Sequence, residues 1–187
     1  CRNVVAFLAQ EVAYIVVNAA GCGAAMKDYG TLLAGDEASE ARAGTLAKKV
    51  RDVTQLLAEV GPRRGAPVPC TVAYDHPCHL LHAQGVEAAP LRVLEAVPGV
   101  EVRVVEGADE CCGGAGIYGL THPEMGGSIG GDKVRAVRKA GAEVVATPNP
   151  GCMMQIGGGL RLEGAEEGVV HPVEVLDASY RRAGYYT

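Results

Sequence analysis

Two adjacent cysteines in a glycine-rich stretch, Glu110-Cys111-Cys112-Gly113-Gly114-Ala115-Gly116, are the residues of this chain best suited to chemistry. Neighbouring side chains diverge, so a disulfide between Cys111 and Cys112 would be strained. Two neighbouring thiolates can instead grip one multi-iron cluster, and glycines let the backbone approach such an inorganic core closely. Cys78 upstream and Cys152 downstream are the expected companions of this pair.

Thiolates from these positions would suit either a [4Fe–4S] cluster or a tetrahedral zinc ion, and composition alone does not separate the two. The ordinary alternative is a set of inert buried thiols. Thiol–disulfide chemistry at the cysteine pair is a further option. A catalytic pair of Cys78 with His79 or His122 is also open, but it would not explain why two cysteines stand together.

The remaining cysteines carry weaker signals. Cys22 is expected at a helix N-terminus, where the helix dipole favours a thiolate, but no partner cysteines stand in its part of the chain. It is therefore either a ligand or simply a thiol at a helix start. Cys70 is expected to be a core residue inside a strand, and Cys1 is expected to have no role.

Three histidines, His76, His79 and His82, surround Cys78 in the sequence. The ordinary interpretation is capping and surface hydrogen bonding, with His79 and His82 on one helix face. The sharper one is contact with the metal centre, which would tune its potential. His171 precedes a proline and is expected to be structural.

Composition restricts the class of protein. Seven cysteines without disulfide-like spacing indicate a reducing compartment. The formal net charge of −5 and the absence of a basic stretch argue against a nucleic-acid partner. No apolar run reaches the roughly 18 residues of a membrane span, and residues 1–6 lack the features of a secretion signal. We therefore expect a cytoplasmic protein.

The glycine-rich stretch does not predict a nucleotide site, because cysteines stand where the phosphate-binding turn should begin.

The elements that must position these residues alternate between strand and helix. Strands are expected at 13–17, 70–74, 100–105, 143–146 and 169–170. Helices are expected at 2–11, 24–33 and 46–60, from about residue 90, at 132–140, from about residue 152 and at 172–182, with 35–44 and 61–65 as connections. This order predicts parallel, Rossmann-like, doubly wound α/β sheets. Ligands of such sheets lie beyond the carboxyl ends of strands, where Cys22, Cys78, Cys111 and Cys152 all fall.

The chain partly overlays itself when it is shifted by 130 residues, so that Ile15 meets Val145 and Gly21-Cys22 meets Gly151-Cys152. Helix, strand, loop, Gly-Cys and helix recur in order. The counterpart of Cys111-Cys112 in the first copy would lie before residue 1. We therefore expect two pseudo-repeats: 1–65 as the C-terminal part of a truncated first repeat, and 66–187 as a complete second one. The chain would then be a fragment of a longer protein, or a subunit that has lost its N-terminal part.

The order Cys78, Cys111-Cys112-Gly113, Cys152 resembles the cysteine-rich CCG domain, which occurs in heterodisulfide reductases, lactate-utilisation proteins and glycolate oxidase iron–sulfur subunits. The family pattern is a cysteine, a gap in the thirties, Cys-Cys-Gly, a second such gap and Cys-x-x-Cys. Here 32 and 39 residues fill the two gaps. The stretches 18–23, 74–85, 149–152 and 171–177 most resemble the C-terminal half of the glycolate oxidase iron–sulfur subunit.

The resemblance implies an electron-transfer subunit with a [4Fe–4S] cluster. Its ligands would be Cys78, Cys111, Cys112 and Cys152. Gly113 and Gly151 would ease the approach of the backbone, and His79 would lie beside the cofactor. Electrons would come from a flavin-containing subunit that oxidises glycolate or a similar 2-hydroxy acid, and would pass towards a quinone or another membrane-associated acceptor. Peripheral association with the inner face of the membrane fits that role. The alternative is a zinc-stapled α/β interaction module without a redox role.

Two departures from the family pattern matter. Cys-x-x-Cys has become Cys152-Met153-Met154-Gln155, so one expected ligand is lost, and the ferredoxin-like Cys-x-x-Cys-x-x-Cys segment of a complete subunit is absent. The cluster is therefore expected to be labile, and a purified chain that is empty or holds zinc would be compatible with it. Gly126-Gly127 and Gly130-Gly131 also predict a flexible region before a helix that starts at Asp132.

Overall fold

A computed structural model describes residues 1–186, which form six β-strands, ten α-helices and one π-helix. The strands are β1 (Ile15–Val17), β2 (Val50–Asp52), β3 (Cys70–Tyr74), β4 (Val100–Val104), β5 (Val144–Ala146) and β6 (Gly168–Val170). The α-helices are α1 (Arg2–Leu8), α2 (Ala20–Lys27), α3 (Tyr29–Leu32), α4 (Glu37–Lys49), α5 (Val53–Val60), α6 (Ala88–Glu95), α7 (Ile117–Thr121), α8 (Pro123–Lys139), α9 (Pro150–Leu162) and α10 (Pro172–Arg182). The π-helix spans His79–Ala83. Among these residues, no helix combines the length and the apolar character needed to span a bilayer.

Every strand pairing is parallel, which confirms the predicted α/β class. β1 and β2 form a two-stranded sheet, and the other strands form a four-stranded sheet in the order β4-β3-β5-β6. Alternate side chains of β3 enter different cores: Ala73 packs in the cluster that α8 and α9 contribute to, and Val72 and Tyr74 pack in the cluster shared with α6 and α10. The four-stranded sheet is thus covered on both faces, as a parallel sheet requires.

The register of this sheet determines where the predicted site residues lie. Tyr74 at the end of β3 is level with Val104 of β4 and Ala146 of β5. The segments that follow are named here the β3 loop (75–78), the β4 loop (105–116) and the β5 loop (147–149). They leave the same edge of the sheet, and they carry or lead into all the cysteines predicted to form the metal centre.

The apolar stripe at 46–60 does not form the single helix that we predicted. α4 ends at Lys49, and β2 separates it from α5. The Asp52 carboxylate accepts hydrogen bonds from the backbone N–H of Thr54 (2.8 Å) and from its hydroxyl (2.5 Å), and so starts a new helix at Val53. Leu46 and Val50 are both buried in one core cluster, which explains the helix-like spacing across the break.

The glycine-rich region before Asp132 is helical, and α8 already starts at Pro123. Gly126 and Gly130 are buried because their side-chain-free faces lie against the β4 loop and α9. This tertiary packing outweighs the low intrinsic helix propensity of glycine. The expected polar connection at 35–44 is also mostly helix, since α4 begins at Glu37, and the helix expected from Ala24 begins at Ala20.

The order α1-β1-α2 recurs as α8-β5-α9 close to the predicted offset, since α2 begins at Ala20 and α9 at Pro150. In each copy the strand has a parallel neighbour, β2 or β6, that leads into a further helix, α5 or α10. Leu57 of α5 packs against the core of the four-stranded sheet. The division of the chain at residue 65 therefore stays a prediction.

His171 caps α10 and is buried, with 5% of its surface exposed. Its Nδ1 accepts a hydrogen bond from the backbone N–H of Val173 at 3.2 Å, which agrees with the structural role predicted from the sequence. Burial lowers the pKa of His171 to about 4. Because the pKa in the unfolded chain is about 6.5, its stabilising effect is complete above that pH and is lost as the pH falls towards 4.

The variant His171→Asn should make stability less dependent on pH, because asparagine can cap the helix but does not titrate. Between pH 7.5 and 4 we expect the wild-type chain to lose about 2 to 3 kcal/mol more of its free energy of unfolding than the variant does. Urea unfolding at both pH values measures the difference. Equal losses in the two proteins would show that His171 does not titrate in this way.

Candidate metal centre

The β3, β4 and β5 loops enclose one cavity of about 510 Å³ at the edge of the four-stranded sheet. Its lining includes Cys78, Cys111, Cys112 and Cys152. Cys112 and Cys152 are buried and belong to the apolar core beneath α8 and α9. Cys78 and Cys111 are half-buried. The cavity therefore has two thiols on the side of the core and two nearer to solvent.

The thiols interact in two pairs. Cys112 and Cys152 form one buried pair: the interaction between the two thiols lowers the pKa of Cys112, and the same interaction, together with burial, raises the pKa of Cys152. Cys78 pairs with Cys111, and burial, followed by the charges of Cys111 and Cys112, raises the pKa of Cys78. An interaction between two thiols favours the thiolate on one of them, and the thiolate is the form that binds metals.

Backbone donors of the β4 loop point at the cysteine sulfurs. The N–H of Gly113 donates to Cys111 Sγ at 3.3 Å, and the nearby backbone of Gly114 acts to lower the pKa of the Cys112 thiol. Gly113 has a φ of +81°, so it turns the loop in a conformation that favours glycine. Charge-assisted bonds of this kind stabilise thiolates in the cavity wall.

Gly151, predicted to ease the approach of the backbone to the cofactor, lines the cavity, but no close contact there demands a glycine. A Cβ at Gly151 would meet only the Asn149 side chain, at an ordinary 3.5 Å. Asn149 itself was missed by sequence reasoning: its Nδ2 donates to Cys152 Sγ at 3.2 Å. The available signal was its position at the N-cap of α9, directly before Pro150.

Gln155, at the place of the missing family cysteine, also lines the cavity. Its Nε2 donates to the carbonyl oxygen of Gly126 at 3.2 Å, which holds the side chain against α8. The position expected to provide a fifth sulfur therefore links two helices instead.

The histidines near Cys78 have different surroundings. His79 lines the cavity and places Nδ1 3.6 Å from Cys78 Sγ. His82 Nε2 lies 3.1 Å from the carbonyl oxygen of Asp109 in the β4 loop, and buried His76 packs edge-on against Tyr74. Of these three histidines, His79 is the one that lines the cavity and is therefore placed to contact a metal centre.

The other cysteines, and the second histidine considered for catalysis, lie elsewhere. Cys22 is exposed in the first turn of α2, Cys70 is half-buried in β3 and Cys1 is exposed. His122 stacks on the ring of Tyr118, with centroids 4.1 Å apart. In the part of the chain that the structure describes, no three His, Cys, Asp or Glu side chains are grouped closely enough to hold one metal ion.

A buried ion pair beneath the cavity was not predicted. Lys133 Nζ lies 2.8 Å from Asp75 Oδ1, and the two side chains are 2% and 1% exposed. Burial raises the pKa of Asp75, and the nearby Lys133 ammonium opposes this rise. The signal in the sequence was a lysine next to Val134, within the apolar stripe of α8.

The donor set suits an iron–sulfur cluster. The thiols line a cavity in which the backbone N–H of Gly113 and the Asn149 amide donate to sulfur, and hydrogen bonds of this kind help to set the potential of iron–sulfur clusters. The apolar core on one side of the cavity lowers the local dielectric constant, which is one of the protein's controls over cluster potential.

Known proteins are similar in sequence to the part of this chain that forms the cavity. Residues 72–157, which include all four cavity cysteines, match the family described as CCG, cysteine-rich domain. The chain is 34% identical over 189 residues to the probable glycolate oxidase iron–sulfur subunit of Bacillus subtilis, across 100% of this chain and 42% of that protein. It is 31% identical over 173 residues to lactate utilization protein A of Oceanobacillus iheyensis, across 91% of this chain and 70% of that protein.

A third relative is one of the subunits of the fumarate reductase (CoM/CoB) of Methanothermobacter marburgensis, 34% identical over 172 residues, across 89% of this chain and 32% of that protein. The chain thus spans less than half of the glycolate oxidase and fumarate reductase subunits, and about 70% of the lactate utilization protein. The resemblance drawn from the cysteine order is confirmed: this chain belongs to the CCG cysteine-rich domain family.

Proposed function

We propose that this chain is an electron-transfer unit whose four-cysteine cavity binds a [4Fe–4S] cluster. The observation that carries the proposal is the convergence of four thiols, from two loops and the start of α9, on one cavity. The cluster would supply one-electron chemistry. The proposed ligands are Cys78, Cys111, Cys112 and Cys152.

In this proposal the chain's own residues prepare the ligands. Gly113 donates to the sulfur of Cys111, the backbone of Gly114 acts to lower the pKa of Cys112, and Asn149 donates to Cys152. His79 is exposed, with Nδ1 3.6 Å from Cys78 Sγ, and a polar contact of this kind with a ligand would tune the potential of the centre.

We propose further that the electrons come from a flavin-containing subunit that oxidises a 2-hydroxy acid, and that they leave towards a quinone. One relative is named as a glycolate oxidase iron–sulfur subunit and another as a lactate utilization protein. Leu120 and Met154 also line the cavity, with 83% and 79% of their surfaces exposed. An apolar rim of this kind suits contact with another subunit.

Anaerobic reconstitution of the purified chain with ferrous iron and sulfide tests the cluster. We expect about four iron and four sulfide per chain and a broad absorption band near ~400 nm that bleaches on reduction. A colourless chain that binds no iron but binds stoichiometric zinc would contradict the proposal. It would favour the alternative, a zinc-stapled interaction module without a redox role.

The electron donor is tested separately with the loaded chain. Under anaerobic conditions, glycolate or lactate should bleach the cluster only when the matching flavin subunit is added. Bleaching by neither substrate, in a chain that dithionite does reduce, would remove the proposed donor while leaving the cluster assignment intact.

A further inference from the structure

The buried ion pair beneath the cavity contacts all three cysteine loops. Lys133 Nζ, on α8, donates to the carbonyl oxygens of Gly107 (2.7 Å) and Ala108 (3.3 Å) in the β4 loop. Its ionic partner, Asp75, belongs to the β3 loop. The Thr147 hydroxyl, in the β5 loop, donates to Asp75 Oδ2 at 3.0 Å. One ammonium and one carboxylate therefore join the segments that bring in every cavity thiol.

Backbone bonds continue this connection. The N–H of His76 donates to the carbonyl oxygen of Ala108 at 3.1 Å. The N–H of Asp75 donates to the carbonyl oxygen of Ala146 at 3.0 Å. The loops are thus held to one another directly below the cavity. A displacement of the ion pair would be transmitted to Cys78 and to the Cys111-Cys112 pair together.

Stability alone does not account for this pair. A buried ion pair loses much of its Coulomb energy to desolvation, and apolar residues of similar volume often serve a core as well or better. The pair also lies within electrostatic range of the cavity, because both of its charges act on the Cys112 thiol. A net-neutral pair with one charge of each sign can organise the loops without adding net charge beside the cluster.

We propose that Lys133 and Asp75 are positioning residues of the metal centre: their ion pair holds the cysteine loops in register, and its two charges act oppositely on the reduction potential of the bound cluster. The claim about the reduction potential rests on the proposed function, whereas the claim that the ion pair positions the loops does not. Reduction adds one electron, so a nearby positive charge favours the reduced state and a nearby negative charge disfavours it.

The positioning part is tested on the metal-free chain by the rate at which iodoacetamide alkylates each cysteine, followed by mass spectrometry of peptides. We expect Lys133→Met to expose Cys112 and Cys152 and to raise their alkylation rates at least about tenfold, because alkylation of a buried thiol requires local opening and the loss of one partner of a buried ion pair favours opening. Lys139→Met is the matched control. Lys139 is on the same helix and pairs with Glu106, but it is 73% exposed, so its loss should change neither rate.

The charge part is tested by the midpoint potential of the reconstituted cluster. Lys133→Met should lower the potential, Asp75→Asn should raise it, and the double variant should lie near the wild type. A purely structural role would not move the two single variants in opposite directions. If a single variant does not fold, the double variant and Thr147→Val, which removes one hydrogen bond from the pair, replace it in the alkylation measurement.

Equal alkylation rates in Lys133→Met and Lys139→Met would overturn the positioning role. Potentials that shift in the same direction, or not at all, would overturn the electrostatic role. If even the wild-type chain takes up no cluster, the proposed function fails, while the alkylation rates still decide whether the ion pair positions the loops.

Discussion

The variant Cys112→Ser should abolish cluster binding, with bound iron after anaerobic reconstitution reduced at least about tenfold. Cys112 is only 5% exposed and lines the cavity from the side of the apolar core, so its sulfur is shielded from solvent and faces the proposed cluster. A serine hydroxyl has nearly the same shape but stays protonated at neutral pH and does not replace a thiolate. Iron and sulfide analysis, together with the absorbance near ~400 nm, measures the loss.

Two other cysteines provide matched controls for this variant. Cys70→Ser changes a half-buried thiol in β3, on the core of the opposite sheet face, and Cys22→Ser changes an exposed one in α2. Both variants should retain the iron content of the wild type. If Cys112→Ser also retained it, or if Cys70→Ser lost as much, the cluster would not be bound in this cavity.

The sequence predicted that the cysteines would meet at one edge of the sheet, because the signal is topological. Cys78, Cys111 and Cys152 each follow a predicted strand, and parallel strands present their carboxyl ends at one edge. Alternation of strands and helices therefore sufficed to bring together residues that stand far apart in the chain. The order of the cysteines then indicated the family, although neither signal could reveal the hydrogen bonds of the sulfurs.

The features that escaped prediction depend on tertiary contacts. The break at Val50 was hidden because β2, with three residues, is too short to display the alternation of a strand. The Lys133–Asp75 pair joins residues on separate elements, and nothing local to either residue shows its partner. Gly130 was interpreted as a source of flexibility, whereas its missing side chain makes room for Gln155.

These contacts give the glycines of α8 a role in the site. Gly126 and Gly130 present bare backbone to the β4 loop, and Gly113 occupies the space that they leave. Helix α8 thus holds the β4 loop in two ways: the Lys133 ammonium donates to its carbonyl oxygens, and the backbone of Gly126 and Gly130 packs against it. The cavity owes its shape to close backbone packing as much as to its cysteines.

The variant Gly113→Ala should destabilise the metal-free chain by about 2 to 4 kcal/mol, as measured by urea unfolding. A Cβ there would overlap the carbonyl oxygen of Gly126 and lie 2.8 Å from the backbone nitrogen of Gly130, at a φ of +81°. Gly127→Ala, on the same helix, is the matched control: its Cβ would meet nothing within 4 Å, and alanine should raise stability by about 0.5 to 1 kcal/mol. Because the clash is with backbone, the β4 loop must move, so Gly113→Ala should also lose the cluster while Gly127→Ala keeps it. Similar unfolding free energies for the two variants would mean that the β4 loop does not pack this closely against α8.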